Sequence, residues 1–176
     1  FIISDKVTKI HYNAFRSNTS LKSITIPKSV RYIEDGAFAG CTGITRIHLL
    51  DGILTIGDNA FADCKNLVSV EMPDSLTRIG EYAFNGCSSL KEIVIPNSVT
   101  RLEPWAFANC TSLQSISFPD NITVISENMC YACTSLTSID FGSGVTHVRP
   151  DSFYGCISLE RLYIPKNIKT KIKRFA

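Results

Sequence analysis

Apolar residues recur along this chain at a fixed interval rather than in isolated runs. The stretch "SLKEIVIPNSVTRLEPWAFANCT", Ser89 to Thr111, follows "NLVSVEMPDSLTRIGEYAFNGCS" and precedes "SLQSISFPDNITVISENMCYACT". The residue that opens each copy falls at Leu21, Ile44, Leu67, Leu90, Leu113, Leu136 and Leu159, always 23 apart. In phase with it run Ile24, Ile47, Val70, Ile93, Ile116, Ile139 and Leu162, then Ile26, Leu49, Met72, Ile95, Phe118, Phe141 and Ile164. Pro follows at 27, 73, 96, 119 and 165, with Leu50 and Gly142 breaking that column. Val30, Ile53, Leu76, Val99, Ile122, Val145 and Ile168 come next, and then Ile33, Ile56, Ile79, Leu102, Ile125 and Val148. An aromatic column closes the unit: Phe15, Phe38, Phe61, Phe84, Phe107, Cys130 and Phe153.

One such unit cannot bury its apolar face alone, whereas stacked copies continue each column from coil to coil. The pattern therefore predicts a mostly β solenoid of about seven 23-residue coils over residues 1–176. "SLKEIVIP" alternates apolar and polar and is rich in β-branched residues, as a strand with one inward face. Pro lacks the N–H needed to extend a ladder and ends it. "SVTRL" supplies a second short extended piece. A turn or a single helical coil follows, with Asp35, Asp58, Glu81, Pro104, Glu127 and Pro150 where a helix would begin. Parallel strands about 4.8 Å apart give an axis of roughly 35 Å.

The unit, with its IP, SV, AF and C positions, resembles the BspA-like leucine-rich repeat family of bacterial and protist surface proteins, over nearly the whole chain. That resemblance implies a leucine-rich-repeat solenoid, with a parallel β-sheet on one face and turns or single helical coils on the other. It also implies an extracellular or cell-surface setting, and a protein partner such as a host matrix protein or another cell-surface protein.

Cysteine is the next distinctive feature. Six of the seven stand in one column (Cys41, Cys64, Cys87, Cys110, Cys133, Cys156), with Asn18 in the first copy. A spacing of 23 is not that of zinc motifs. Adjacent coils bring such residues within disulfide range, but side chains that all point the same way oppose the required dihedral. The expectation is a column of small buried thiols. Cys130 and Cys133 form a C-x-x-C, which raises a thiol-redox reading. The columns account for it more simply, Cys133 as the regular thiol and Cys130 as the substitute for a Phe. Met129 then fills the lost volume, and Cys130→Phe should be tolerated.

Composition excludes more than it selects. Lys plus Arg is 18 and Asp plus Glu is 16, a formal charge of +2, which gives no argument for nucleic acid. No apolar run approaches the length that spans a bilayer, so no membrane insertion is expected in this segment. There is no nucleophile-elbow, Walker or zincin motif, hence no catalytic residue, metal or cofactor to name and no enzyme expected. Sequons at Asn18, Asn109 and Asn121 fall at chance level.

What the repeat leaves free is the outward side of the first strand. Its two columns are Ser23, Arg46, Ser69, Glu92, Ser115, Ser138, Arg161 and Thr25, His48, Glu71, Val94, Ser117, Asp140, Tyr163. Arg46, His48, Glu71, Glu92, Asp140, Arg161 and Tyr163 are the candidate binding face, His48 lying one coil from Glu71. A second outward column, Lys9, Tyr32, Arg78, Arg101 and His147, is mildly basic, its long stems suited to cover apolar surface. The functional expectation is a protein-binding or adhesion module, the rival a passive spacer that displays another domain. The chain begins without Met, mid-repeat, at Phe1 and Ile3. It reads as a piece of a longer protein or a mature chain, with further repeats, a cap or an oligomer partner at its ends.

Overall fold

The computed structural model describes residues 1–159 and 166–168. Every strand in it pairs in parallel, and pairing residues differ by 23 throughout. The first row of strands comprises β2 (Ser23–Ile26), β4 (Arg46–Leu49), β6 (Ser69–Glu71), β8 (Glu92–Val94), β10 (Ser115–Ser117) and β12 (Ser138–Asp140). The "SVTRL" pieces form a second row: β1 (Lys9–Ile10), β3 (Tyr32–Ile33), β5 (Thr55–Ile56), β7 (Arg78–Ile79), β9 (Arg101–Leu102), β11 (Val124–Ile125) and β13 (His147–Val148). About six turns of solenoid result. Within the first row Ile24 pairs Ile47 and Ile47 pairs Val70, so the apolar columns of the sequence are the inward columns of the sheet.

Each row is interrupted once. The first divides into β2-β4-β6 and β8-β10-β12, the second into β1-β3-β5-β7-β9 and β11-β13. Between coils three and four, Lys91 N–H reaches Val68 O at 3.4 Å, where the equivalent bonds of Val68 and Gln114 measure 2.9 and 2.8 Å. Between β9 and β11 the Ser126 hydroxyl donates to Leu102 O at 3.0 Å. In other coils a backbone N–H fills that place, as Gly80 to Ile56 O and Arg149 to Ile125 O.

The third side of each coil is a run of β-turns, which resolves the turn-or-helix alternative. In the second coil Ala37 N–H donates to Glu34 O, Ala39 N–H to Gly36 O and Cys41 N–H to Phe38 O. Gly36 and Gly40 have φ of 64° and 71°. The acids and prolines assigned to a first helical position are thus second residues of a turn whose third residue is left-handed, a place that also suits Pro. The dipole argument for the acids falls away. Asp35 instead accepts the Asp58 N–H at 2.8 Å, and Asp58 accepts the Glu81 N–H at 3.0 Å.

Two left-handed columns follow from this. One holds Asn13, Gly36, Asn59, Tyr82, Trp105, Asn128 and Asp151, the other Ser17, Gly40, Asp63, Gly86, Asn109, Ala132 and Gly155, all at positive φ. Asn, Asp and Gly tolerate that region, while a bulky residue there is strained by about 1–2 kcal/mol. Tyr82 and Trp105 stand there at 56° and 60°.

The core is one continuous column of buried side chains from Ile3 to Leu159. Phe15, Phe38, Phe61, Phe84 and Phe107 stack face to face, with centroids 5.0–5.7 Å apart and planes within 13°. The stack stops at Cys130, and Met129 is fully buried beside it. Met129 is not the only replacement for the missing ring. Phe118, just past β10 in the same coil, and Phe141, just past β12 in the next, stand edge-on to Phe153 at 6.4 and 6.0 Å. The ring has moved from the turn side of the coil to the strand side.

Candidate functional site

All seven cysteines are free and buried. Each column thiol lies against the preceding coil and donates to its aromatic-column carbonyl: Cys64 Sγ to Phe38 O at 3.2 Å, Cys110 Sγ to Phe84 O at 3.3 Å, Cys156 Sγ to Cys130 O at 3.1 Å. The same carbonyls accept a backbone N–H from their own coil, as Phe38 O does from Cys41. Asn18 serves the first copy by accepting the N–H groups of Ser20 and Leu21, both at 3.0 Å. Burial pushes the Cys64 and Cys156 thiols up to about 12. Burial raises Cys87, Cys110 and Cys130 as well, with neighbouring thiols adding to it. Cys130 and Cys133 are fully buried, and Cys133 Sγ donates to Phe107 O. The exposed thiolate that a redox pair requires is not what this geometry provides. Among the described residues no group of three or more His, Cys, Asp or Glu side chains is placed to hold a metal.

The second outward column is occupied by ion pairs, which adds to its expected role of covering apolar surface. Lys9 and His11 meet Glu34 at 3.0 and 3.2 Å, and the Lys9 hydrogen bond, first among several, holds the Glu34 carboxyl below its usual range. Arg78 meets Asp58 at 2.9 Å and Glu103 at 3.5 Å, and Arg101 meets Glu103 at 3.0 Å. Little free positive charge remains on that face.

On the first row the candidates separate into groups. Parallel pairing sets Arg46 between Ser23 and Ser69, and His48 between Thr25 and Glu71. His48 Nδ1 lies 3.1 Å from Glu71 Oε2. Arg46 is exposed and carries no ion pair among the described residues. Beside them opens a groove of about 510 Å³, lined by Ser23, Thr25, Thr45, Arg46, His48 and Val68 among others. Glu92 lies across the interruption between β6 and β8, in the other half of the row. Asp140 is two coils beyond Glu92, and its carboxylate accepts the Gly142 N–H at 3.1 Å, closing the turn where the Pro column fails. Arg161 and Tyr163 lie outside the described residues. Among the described candidates, Arg46, His48 and Glu71 are the ones that lie together on one group of paired strands.

One feature escaped the column reading. On the turn side, Tyr82 stacks on Trp105 at 5.6 Å, Trp105 meets Tyr131 at 5.4 Å and Tyr131 stacks on Tyr154 at 5.5 Å. The Trp105–Tyr131 contact joins residues 26 apart, which no 23-residue column contains. The available signal was Tyr and Trp in a column otherwise made of Asn, Gly and Asp.

Parallel strand rows, turn-built third sides and an inward column of Leu, Ile, Phe and Cys define a leucine-rich-repeat solenoid. The chain belongs to the BspA type leucine rich repeat family, whose repeat matches in six copies over residues 1–77 and 54–175. A leucine-rich repeat protein of T. pallidum is similar over 93% of this chain and 74% of its own length, at 33% identity and a TM-score of 0.83. A leucine-rich repeat protein of Eubacterium ventriosum shares the fold at 22% identity and a TM-score of 0.65, over 85% of this chain and 56% of its own. So does the pneumococcal vaccine antigen PcpA, at 21% identity and a TM-score of 0.62, over 92% of this chain and 38% of its own. Among proteins with curated descriptions, none matches.

Proposed function

We propose that this chain is a protein-binding module of a cell-surface or secreted protein, and that it binds through the outward face of β2, β4 and β6. The observation that carries the reading is the Arg46, His48 and Glu71 cluster beside an open groove. There the repeat has stopped dictating identity, and an Arg with no ion pair among the described residues lies next to apolar and hydroxyl side chains. Arg is a residue type favoured where interfaces concentrate their energy. The family supports a surface setting, and the description of PcpA as a vaccine antigen is in keeping with one. End-to-end association of solenoids is a further expectation of the same reading.

The test is adsorption of the chain to a panel of purified extracellular matrix and cell-surface proteins, with Arg46→Glu/His48→Ala as the paired variant. At least one partner should bind the parent chain and lose at least about tenfold in affinity to the variant, at unchanged melting temperature. Binding indifferent to both substitutions, or none, would return the chain to the role of a spacer.

A further inference from the structure

The aromatic row on the turn side is stacked, partly exposed, and strained in its backbone. Tyr82, Trp105 and Tyr131 are half-buried and Tyr154 is 46% exposed. Tyr82 and Trp105 hold left-handed backbone that Asn, Gly or Asp would occupy with less strain, as other copies of the same column do. A row serving stability alone has no reason to place two bulky rings on left-handed backbone. Strain kept at a surface points to a use.

The surroundings say what the row suits. The backbone N–H of Trp105 donates to the Glu127 carbonyl in the next coil at 3.3 Å, which brings the Glu127 backbone against the step between Trp105 and Tyr131. Tyr154 N–H donates to Asp151 O at 3.1 Å, which sets Asp151 at the far end. Both acids are exposed and carry no ion pair among the described residues. Glu81, adjacent to Tyr82 in the chain, is half-buried. The step flanked by Glu127 is also where the rings cease to be parallel. Trp105 and Tyr131 are inclined by 46°, whereas the steps on either side are each within 19°.

We infer that this row is a second interaction surface, on the side away from Arg46 and His48, that receives an extended, arginine-bearing segment of a partner protein. A guanidinium plane can rest on the outward part of the Trp105 and Tyr131 rings, which stand tilted with centroids 5.4 Å apart, with the exposed acid Glu127 at the same step. Edges and phenol hydroxyls of the other rings offer an amphipathic strip to the rest of the segment. A neutral saccharide is the poorer fit, because it brings no positive charge to the exposed acids Glu127 and Asp151.

Trp105 is the single tryptophan of the chain, so its fluorescence reports on this row alone. The probes are a short peptide of alternating arginine and alanine, its glutamate counterpart, and a neutral β-linked oligosaccharide. The arginine peptide should shift the emission saturably, and the other two should not. Tyr82→Asn/Trp105→Asn, followed by anisotropy of labelled peptide, should lose at least about tenfold in affinity at an unchanged or raised melting temperature. Glu127→Gln should weaken binding and flatten its salt dependence. An equal response to oligosaccharide or glutamate peptide, undiminished binding by the double variant, or a lowered melting temperature in it would each overturn the assignment.

Discussion

Raising the pH should unfold this domain through its own thiols. Cys64 and Cys156 are pushed up to about 12 and Cys87, Cys110 and Cys130 are raised well above the ordinary value of 9.0. In the unfolded chain the same groups ionise near that ordinary value. A folded pKa above the unfolded one means stability that is complete below about 9 and is lost as pH climbs from there toward the folded values. At pH 10 each unfolded thiol is about ten parts ionised to one neutral, worth about 1.4 kcal/mol to the unfolded state. Five such thiols amount to about 7 kcal/mol, comparable with the whole stability of an ordinary domain. Urea unfolding followed by far-UV circular dichroism at pH 8 and pH 10, with reductant present and oxygen excluded, measures the difference. The chain should be close to unfolded at pH 10 without urea. Cys64→Ala should lower stability at pH 8 yet reduce the loss between the two pH values by about 1.4 kcal/mol. Equal stability at both pH values, or a loss unaltered by Cys64→Ala, would refute the account of the thiols as enclosed neutral groups.

Two further substitutions examine the core. Leu90→Ala, at a fully buried position in the opening column, should cost about 2–5 kcal/mol in urea unfolding, and a cost under about 1 kcal/mol would mean the inward face is misassigned. Cys130→Phe should cost about 1–3 kcal/mol, because Cys130 and Met129 are fully buried and Phe118 and Phe141 already pack on Phe153 of the next coil, and adding Phe118→Ile and Met129→Ala should recover most of it; a neutral single substitution would refute the overpacking.

The columns were legible because stacking imposes one environment on each position every 23 residues, so Leu90 announces what Leu67 and Leu113 do. The His48–Glu71 pair was legible for the same reason, since register alone brings them together. The turn side was not. Acids and prolines suit both a first helical position and the second residue of a turn, and only the left-handed residue after them decides. Tyr82 and Trp105 hid that residue, because nothing about an aromatic announces positive φ. The Trp105–Tyr131 contact runs diagonally between columns and has no fixed period to reveal it. The two interruptions of the strand rows were equally silent, since one turns on a Ser126 hydroxyl replacing a backbone donor.

The transfer of a ring from the turn side at Phe107 to the strand side at Phe118 divides the coils into two kinds. Coils that carry Phe38, Phe61 and Phe84 present the same surface above and below, and any of them can be duplicated or deleted with its neighbours still matched. The coil with Phe118 and Cys130 has one face shaped for a stacked ring and the other for an edge-on one. It works as an adaptor, and lengthening or shortening this array by whole repeats is free on its N-terminal side and constrained beyond it.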